Sequence, residues 1–134
     1  MSHRAEGPFD VTTTPMSPDD FTNGTSLSRF SLVKQYHGAL EAAAKGEMLT
    51  SGSPDSGSAG YVAIEEVSGS LDGRKGSFAL QHWGTMHGGK FELRVEIVPG
   101  SGLGELAGIA GKLTIAMAGG KHSYTLDYTF PAAK

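Results

Sequence analysis

The chain has 134 residues, a net charge of −3 at pH 7 and no cysteine. One core of ordinary size fits this length, so the sequence predicts a single domain over 1–134, with 1–7 as a flexible N-terminus. The missing cysteine excludes disulfides, thiolate nucleophiles and sulfur-ligated metals. The chain also lacks any basic cluster longer than the one at 73–76, which argues against a nucleic-acid partner.

Neither the first ten residues nor any later segment carries the apolar run of a signal peptide or a membrane span. A chain without cysteine also suits a reducing compartment. The sequence therefore predicts a cytoplasmic protein with no membrane partner.

Most of the chain alternates between apolar and polar residues, which is the period of a β-strand. This pattern predicts strands at 8–14, 29–37, 39–50, 60–71, 76–87, 90–98, 112–118 and 121–130. The segment 39–50 is rich in good helix formers, and a helix is its alternative, but helix propensity is weak evidence against tertiary context.

Three residue pairs that tolerate positive φ separate alternating runs: Asp72-Gly73, Gly88-Gly89 and Gly119-Gly120. Such pairs are typical of tight hairpins, so neighbouring strands are expected to be antiparallel. The polar connections 16–28 and 51–59 are predicted as surface loops that could cover one end of the fold.

Closure into one barrel protects the edges of short antiparallel strands, and a two-sheet sandwich is the alternative. The predicted fold class is all-β: a single eight-stranded antiparallel up-and-down barrel. At most a short helical turn is expected, near Leu103 to Ile109.

Four stretches, at 46–69, 71–86, 98–115 and 119–130, resemble an uncharacterised bacterial family of small domains of unknown function. The resemblance covers Arg29 to Phe130, and the fold of this family resembles the allene oxide cyclase barrel. Allene oxide cyclases and dirigent proteins hold hydrophobic small molecules inside such a barrel. The resemblance implies the fold, and it assigns no catalytic residue because no motif of those enzymes aligns here.

The last predicted strand places two tyrosines and a histidine on the same face as apolar residues. Residues two apart on a strand share a face, and His82 shares one with Phe78 and Leu80 on another strand. The predicted ligand-binding residues, which should line one connected cavity, are His82, His122, Tyr124, Tyr128, Phe78, Leu80, Leu126 and Phe130. The alternative is that their polar groups satisfy one another and enclose only water.

These residues predict that the barrel binds a small, partly apolar organic molecule. An isomerase or cyclase is the first alternative, with an inward Glu65 or Glu66 acting with a tyrosine or histidine. The alternation does not decide which of the two glutamates faces inward. A structural or interaction domain without a small-molecule role is the second alternative.

No cofactor and no metal are predicted. The glycine pattern at Gly102 to Ala107 matches a dinucleotide fingerprint, but Gly108 and Gly111 prevent the helix that such a site needs. His82 and His87 leave opposite faces of one strand, so they cannot share an ion there.

Trp83 follows His82 and is expected on the outer wall beside small residues. An exposed tryptophan of this kind predicts a homo-oligomer through the face that carries it. The number of subunits does not follow from the sequence.

Overall fold

The computed structural model describes residues 2–16, 27–53 and 58–131. The strands are β1 (Ser2–Pro15), β2 (Ser28–Tyr36), β3 (Leu40–Ser53), β4 (Ser58–Leu71), β5 (Arg74–His87), β6 (Lys90–Ile97), β7 (Leu103–Gly104), β8 (Ala110–Ala118) and β9 (Lys121–Thr129). No helix occurs within these three ranges. The all-β prediction is confirmed.

Eight of the strands form a closed antiparallel barrel. They pair in the order β4-β3-β2-β1-β9-β8-β6-β5, and a pairing of β4 with β5 closes the ring. This closing pair runs from Ser58 opposite His87 to Leu71 opposite Arg74. The short β7 is an addition that pairs with β5 at Gly76 and Ser77. The predicted eight-stranded barrel is confirmed, with one extra strand.

The three predicted hairpin turns are present. Both residues of each pair have positive φ, including Asp72 at 49°. Positive φ at both central residues is the type I′ geometry, which matches the twist of the flanking strands. The turn residues therefore account for the antiparallel order of β4 to β6 and of β8 to β9.

One segment differs from its predicted state, and a second decides between a prediction and its alternative. Residues 2–7, predicted as a flexible N-terminus, form the first half of β1 and pair with β9. Ala5 in this half is only 1% exposed and lies opposite Leu126, so its burial holds the segment against the barrel. The alanine-rich segment is a strand, β3, and not a helix. Most of the predicted loop at 16–28 lies outside the described residues. The predicted loop at 51–59 is too long, because β3 continues to Ser53 and β4 begins at Ser58, and residues 54–57 lie outside the described ranges.

The connection from β6 to β8 contains successive turns but no helix. The N–H of Leu106 donates to the carbonyl of Leu103 at 3.2 Å, and the N–H of Ile109 donates to that of Leu106 at 3.1 Å. Leu106 and Ile109 are 1% and 2% exposed. Their side chains join the core at the end of the barrel where β5 begins.

The other end of the barrel is where β2, β4, β6 and β9 begin, and we call it the mouth. The core fills the opposite half of the interior, where Leu40, Leu71 and Phe78 are each 1% exposed. The fold thus has one packed end, which we call the closed end, and one end at which inward side chains surround open space.

Candidate functional site

The interior at the mouth contains a cavity of about 430 Å³. Its wall is mainly apolar and includes Phe9, Val11, Met48, Phe91, Leu93 and Met117. Its polar lining comes from Thr13, Lys34, Tyr61, His82 and His122. An apolar wall with a few polar groups is the usual composition of a small-molecule pocket.

Four connected polar side chains lie at the bottom of this cavity and just below it, and we call them the floor cluster: Lys34, Tyr36, Glu65 and His82. The Nζ of Lys34 donates to Oε2 of Glu65 at 2.8 Å, and Nε2 of His82 lies 2.6 Å from the same oxygen. The hydroxyl of Tyr36 donates to the other carboxylate oxygen, Oε1. Glu65 is 0% exposed, so the cluster holds an ionisable group in the protein interior.

The hydrogen bonds determine the charge state of Glu65. Burial alone raises the pKa of this carboxyl group, but the hydrogen bond from His82 and the positive charge of Lys34 outweigh burial. The pKa of Glu65 is therefore held below its ordinary value of 4.5. Burial beside this carboxylate raises the pKa of Tyr36, so the phenol keeps its proton.

The small inner face of β3 explains how a lysine on β2 reaches a glutamate on β4. Lys34 lies opposite Ala44, and Gly46 lies opposite Glu65. The two charged residues are separated by β3, hence by two strand spacings of about 4.8 Å each. Because Ala44 and Gly46 carry almost no side chain, the lysine can extend across β3. The alanine-rich segment is therefore a strand that makes room for the ion pair.

Tyr61 lies beside the floor cluster at the cavity wall. Its hydroxyl is 3.5 Å from Nδ1 of His82, which is long for such a hydrogen bond. Burial, with a smaller contribution from Glu65, raises the pKa of Tyr61 to about 12. The Tyr61 phenol is therefore a protonated donor at neutral pH.

Of the eight predicted ligand-binding residues, His82 and His122 line the cavity at the mouth. Five others point inward as predicted but lie in the packed core: Phe78, Leu80, Tyr124, Leu126 and Tyr128. Phe130 is half-buried near the closed end, where the guanidinium of Arg74 lies 4.4 Å from its ring centre. The structure thus places the eight residues on the predicted face but does not bring them around one cavity.

The hydroxyls of the two core tyrosines have partners within the protein. That of Tyr124 accepts from the N–H of Leu40 at 2.9 Å and donates to the carbonyl of His37 at 2.8 Å. The hydroxyl of Tyr128 donates to Oδ2 of Asp72. Both tyrosines therefore fix turns at the closed end of the barrel. Their partners are backbone groups and Asp72, and not the other predicted polar residues as the alternative of mutual satisfaction held.

Replacing Tyr124 by phenylalanine is expected to lower the free energy of unfolding by about 1–3 kcal/mol, because the buried N–H of Leu40 loses its acceptor. Urea denaturation measures the loss. Tyr61→Phe is the matched control, since its hydroxyl makes only a 3.5 Å contact, and we expect a smaller loss. Equal losses for the two variants would contradict this role of Tyr124.

The structure resolves the choice between the two adjacent glutamates: Glu65 faces inward and Glu66 is exposed. Sequence reasoning missed Lys34 and Tyr36. The available signal was the alternation in β2, where Phe30, Leu32, Lys34 and Tyr36 share one face. A lysine on that face already indicated a buried cation in need of a carboxylate partner.

The outer wall carries a row of exposed apolar side chains, which we call the outer patch: Leu49, Val62, Ile64 and Trp83. Trp83 is 45% exposed, as the prediction of an outward tryptophan requires. Val62 lies opposite both Leu49 and Trp83 on the neighbouring strands, so the row is continuous across β3, β4 and β5. The patch forms a groove bordered by charged residues of both signs.

Two features are absent from the described part of the chain. No group of three or more histidine or acidic side chains there is placed to hold a metal ion. Nor do these residues include a helix long and apolar enough to cross a membrane.

Comparison with known proteins identifies relatives that share this barrel. A family model described as "Protein of unknown function (DUF3224)" matches residues 5–128. The crystal structure of a DUF3224 protein with unknown function from Shewanella oneidensis MR-1 is 44% identical, with a TM-score of 0.91 over 99% of this chain and 100% of that chain. No curated protein matches the chain.

The match extends over almost the whole barrel, from the first half of β1 to the end of β9. It confirms the resemblance to a bacterial family of unknown function, and the closed barrel is compatible with an allene oxide cyclase-like fold. The chain belongs to the DUF3224 family.

Proposed function

We propose that this barrel binds a small, partly apolar organic molecule in the cavity at its mouth. The observation that supports the proposal is the cavity itself, about 430 Å³ with an apolar wall above a polar floor. The core residues that fill the closed half of the barrel leave this space open. The proposed setting is the cytoplasm, which suits a chain without cysteine.

The composition of the floor cluster favours a role in orienting a ligand over a role in stabilising the core. Within the described residues, every buried side-chain nitrogen and oxygen has a partner, although the partner of His82 Nδ1 is the Tyr61 hydroxyl at the long distance of 3.5 Å. A satisfied ion pair stabilises little more than apolar residues of similar size would. His82 and Lys34 nevertheless line the cavity, where they can meet a polar group of a bound molecule.

Native mass spectrometry of protein purified from its own host tests the proposal. We expect a bound small molecule on the wild type, and its loss from Leu93→Trp, because Leu93 lines the cavity and an indole would fill the space. Val33→Trp is the control, since Val33 is 49% exposed on the outer wall, and it should retain the ligand. A wild type without any bound molecule would instead support a structural or interaction domain.

An isomerase or cyclase is the second candidate, and the contact between Glu65 and His82 favours it. Glu65 itself is fully buried and accepts three hydrogen bonds, so it would act through His82. A histidine oriented by a carboxylate can serve as a general base. In heavy water, we expect a hydrogen bonded to carbon in the ligand to exchange for deuterium. His82→Gln should abolish this exchange while binding is partly kept. A ligand that binds without such exchange would exclude this candidate.

We further propose that two copies associate through the outer patch. Arg94 and Glu96 border it on one side, and the ion pair of Arg29 with Glu47 borders it on the other, with 2.7 Å between Arg29 Nη2 and Glu47 Oε1. The outer patch has an apolar centre, and each of its margins carries both an arginine and a glutamate. A two-fold axis through this centre can place an arginine of one copy opposite a glutamate of the other.

Sedimentation at micromolar concentration is expected to show an oligomer for the wild type. Trp83→Glu should shift it to the monomer, because a charge in the centre of the patch would be desolvated in the contact. Val33→Glu, elsewhere on the outer wall, should leave the oligomer intact. A wild type that sediments only as the 13.9 kDa monomer would contradict the proposal.

A further inference from the structure

We infer that the molecule bound at the mouth carries a hydroxyl group, an alcohol or a phenol, which donates its proton in a hydrogen bond to Nδ1 of His82. The inference rests on the proposed function, because it names the ligand chemistry of the same cavity. Three features of the floor cluster support it: the tautomer of His82, the long contact to Tyr61 and the balance of charge.

The hydrogen bond to Glu65 determines which nitrogen of His82 carries the proton. Nε2 lies 2.6 Å from Oε2 of Glu65. An ionised carboxylate can only accept hydrogen bonds, so Nε2 must be the donor. An imidazole whose single proton is on Nε2 carries a lone pair on Nδ1, and Nδ1 faces the side of the ring toward Tyr61.

The acceptor at Nδ1 is poorly used in the protein alone. The hydroxyl of Tyr61 lies 3.5 Å away, whereas hydrogen bonds from a hydroxyl group are usually about 2.8 Å long. Both side chains line the cavity. A ligand hydroxyl between them could donate to Nδ1 and accept from Tyr61, which gives both groups a better partner.

The charge of the floor cluster favours a neutral ligand group over an anion. Lys34 and Glu65 form an ion pair at 2.8 Å, with side chains 4% and 0% exposed, so their charges cancel locally. The charge of Lys34 is thus already neutralised by Glu65 and is not free to attract an anion. A carboxylate ligand would also bring its own lone pairs toward the lone pair of Nδ1.

Three aromatic probes that differ at one ring carbon test the inference: naphthol, methylnaphthalene and naphthoate, each titrated by calorimetry or ligand-observed NMR. We expect naphthol to bind about fivefold to tenfold more tightly than methylnaphthalene, the usual effect of one neutral hydrogen bond. Naphthoate should bind least. In His82→Gln, which keeps an N–H donor for Glu65, naphthol and methylnaphthalene should bind with equal affinity.

His87→Gln is the matched control, since His87 lies on the same strand as His82 but is exposed and does not line the cavity. It should keep the preference for naphthol. Nitrogen NMR of ¹⁵N-histidine wild type gives a reading that needs no variant at His82: naphthol should shift the Nδ1 signal of His82, and methylnaphthalene should not.

The outcomes separate this inference from the proposed function. Equal affinity for naphthol and methylnaphthalene, or tightest binding of naphthoate, would overturn hydroxyl recognition while the cavity remains a binding site. Failure of all three probes to bind would contradict the proposed function itself.

Discussion

Replacing Glu65 by glutamine is expected to lower the free energy of unfolding by about 3–5 kcal/mol, because Lys34 would remain as a buried cation without its counterion. Lys34 is 5% exposed and its Nζ lies 2.8 Å from the carboxylate. Single domains are stable by only about 5–15 kcal/mol, so this loss is a large fraction of the total. Urea denaturation at neutral pH measures it.

The adjacent glutamate provides the control. Glu66 is exposed on the outer wall, so Glu66→Gln should change the free energy of unfolding by less than about 0.5 kcal/mol. If Glu65→Gln and Glu66→Gln were equally stable, the buried ion pair would not contribute as the structure indicates. A double variant that also replaces Lys34 by methionine should recover part of the loss, since no unpaired charge remains.

The effect of Glu65 should depend on pH in a defined direction. Its folded-state pKa lies below the ordinary value of 4.5, so its contribution is complete above that pH and is lost as the pH falls through the folded-state value. The difference in stability between wild type and Glu65→Gln should therefore shrink as the pH falls below about 4.5. A difference that grows on acidification would have the wrong sign for a carboxylate stabilised in the folded state.

The fold was predictable because its signals are local. Alternation with period two identifies the strands, and the glycine pairs identify the hairpins between them. Of the nine described strands, β7 was not expected, and β1 was expected only from residue 8. The pairing of β7 depends on the approach of Leu103 and Gly104 to β5 after closure, which no local pattern reports.

The site was less predictable, because strand parity gives the face of a residue but not its height in the barrel. His122 and Tyr124 are two residues apart and both point inward, yet His122 lines the cavity and Tyr124 lies in the core. Height depends on strand tilt and on which residues lie opposite, and both follow from closure of the whole ring. A correct face was therefore compatible with the wrong set of cavity residues.

The choice between Glu65 and Glu66 was open for a different reason. Both faces of β4 are apolar near this point, since Val62 and Ile64 are 50% and 58% exposed on the outer wall. These outward residues belong to the outer patch, which we propose to be covered by a second copy. Because they are apolar, the strand lacks the apolar-polar alternation that would mark its inward face. The alternation in β2 is clearer and indicates an inward Lys34, a signal that the sequence-based prediction missed.

Replacing Gly46 by alanine is expected to cost about 3 kcal/mol or more, at the upper end of the range for overpacking. A Cβ at this position would overlap the carbonyl oxygen of Ile64 and lie 2.7 Å from the Cα of Glu65. Because both contacts are to backbone atoms, no side-chain rotation can relieve them, and β3 and β4 would have to move apart. Such a shift would also disturb the crossing of Lys34 to Glu65.

Gly60→Ala is the control for this prediction. Gly60 is also inside a strand, and the nearest atom to a Cβ there is the carbonyl oxygen of Gly84 at 3.7 Å, an ordinary contact. Neither glycine is in the range of φ that disfavours alanine. Gly60→Ala should therefore be neutral or slightly stabilising, since alanine lowers the entropy of the unfolded chain. If urea denaturation showed Gly46→Ala to be as stable as Gly60→Ala, the close approach of β3 and β4 at Glu65 would not be required for the floor cluster.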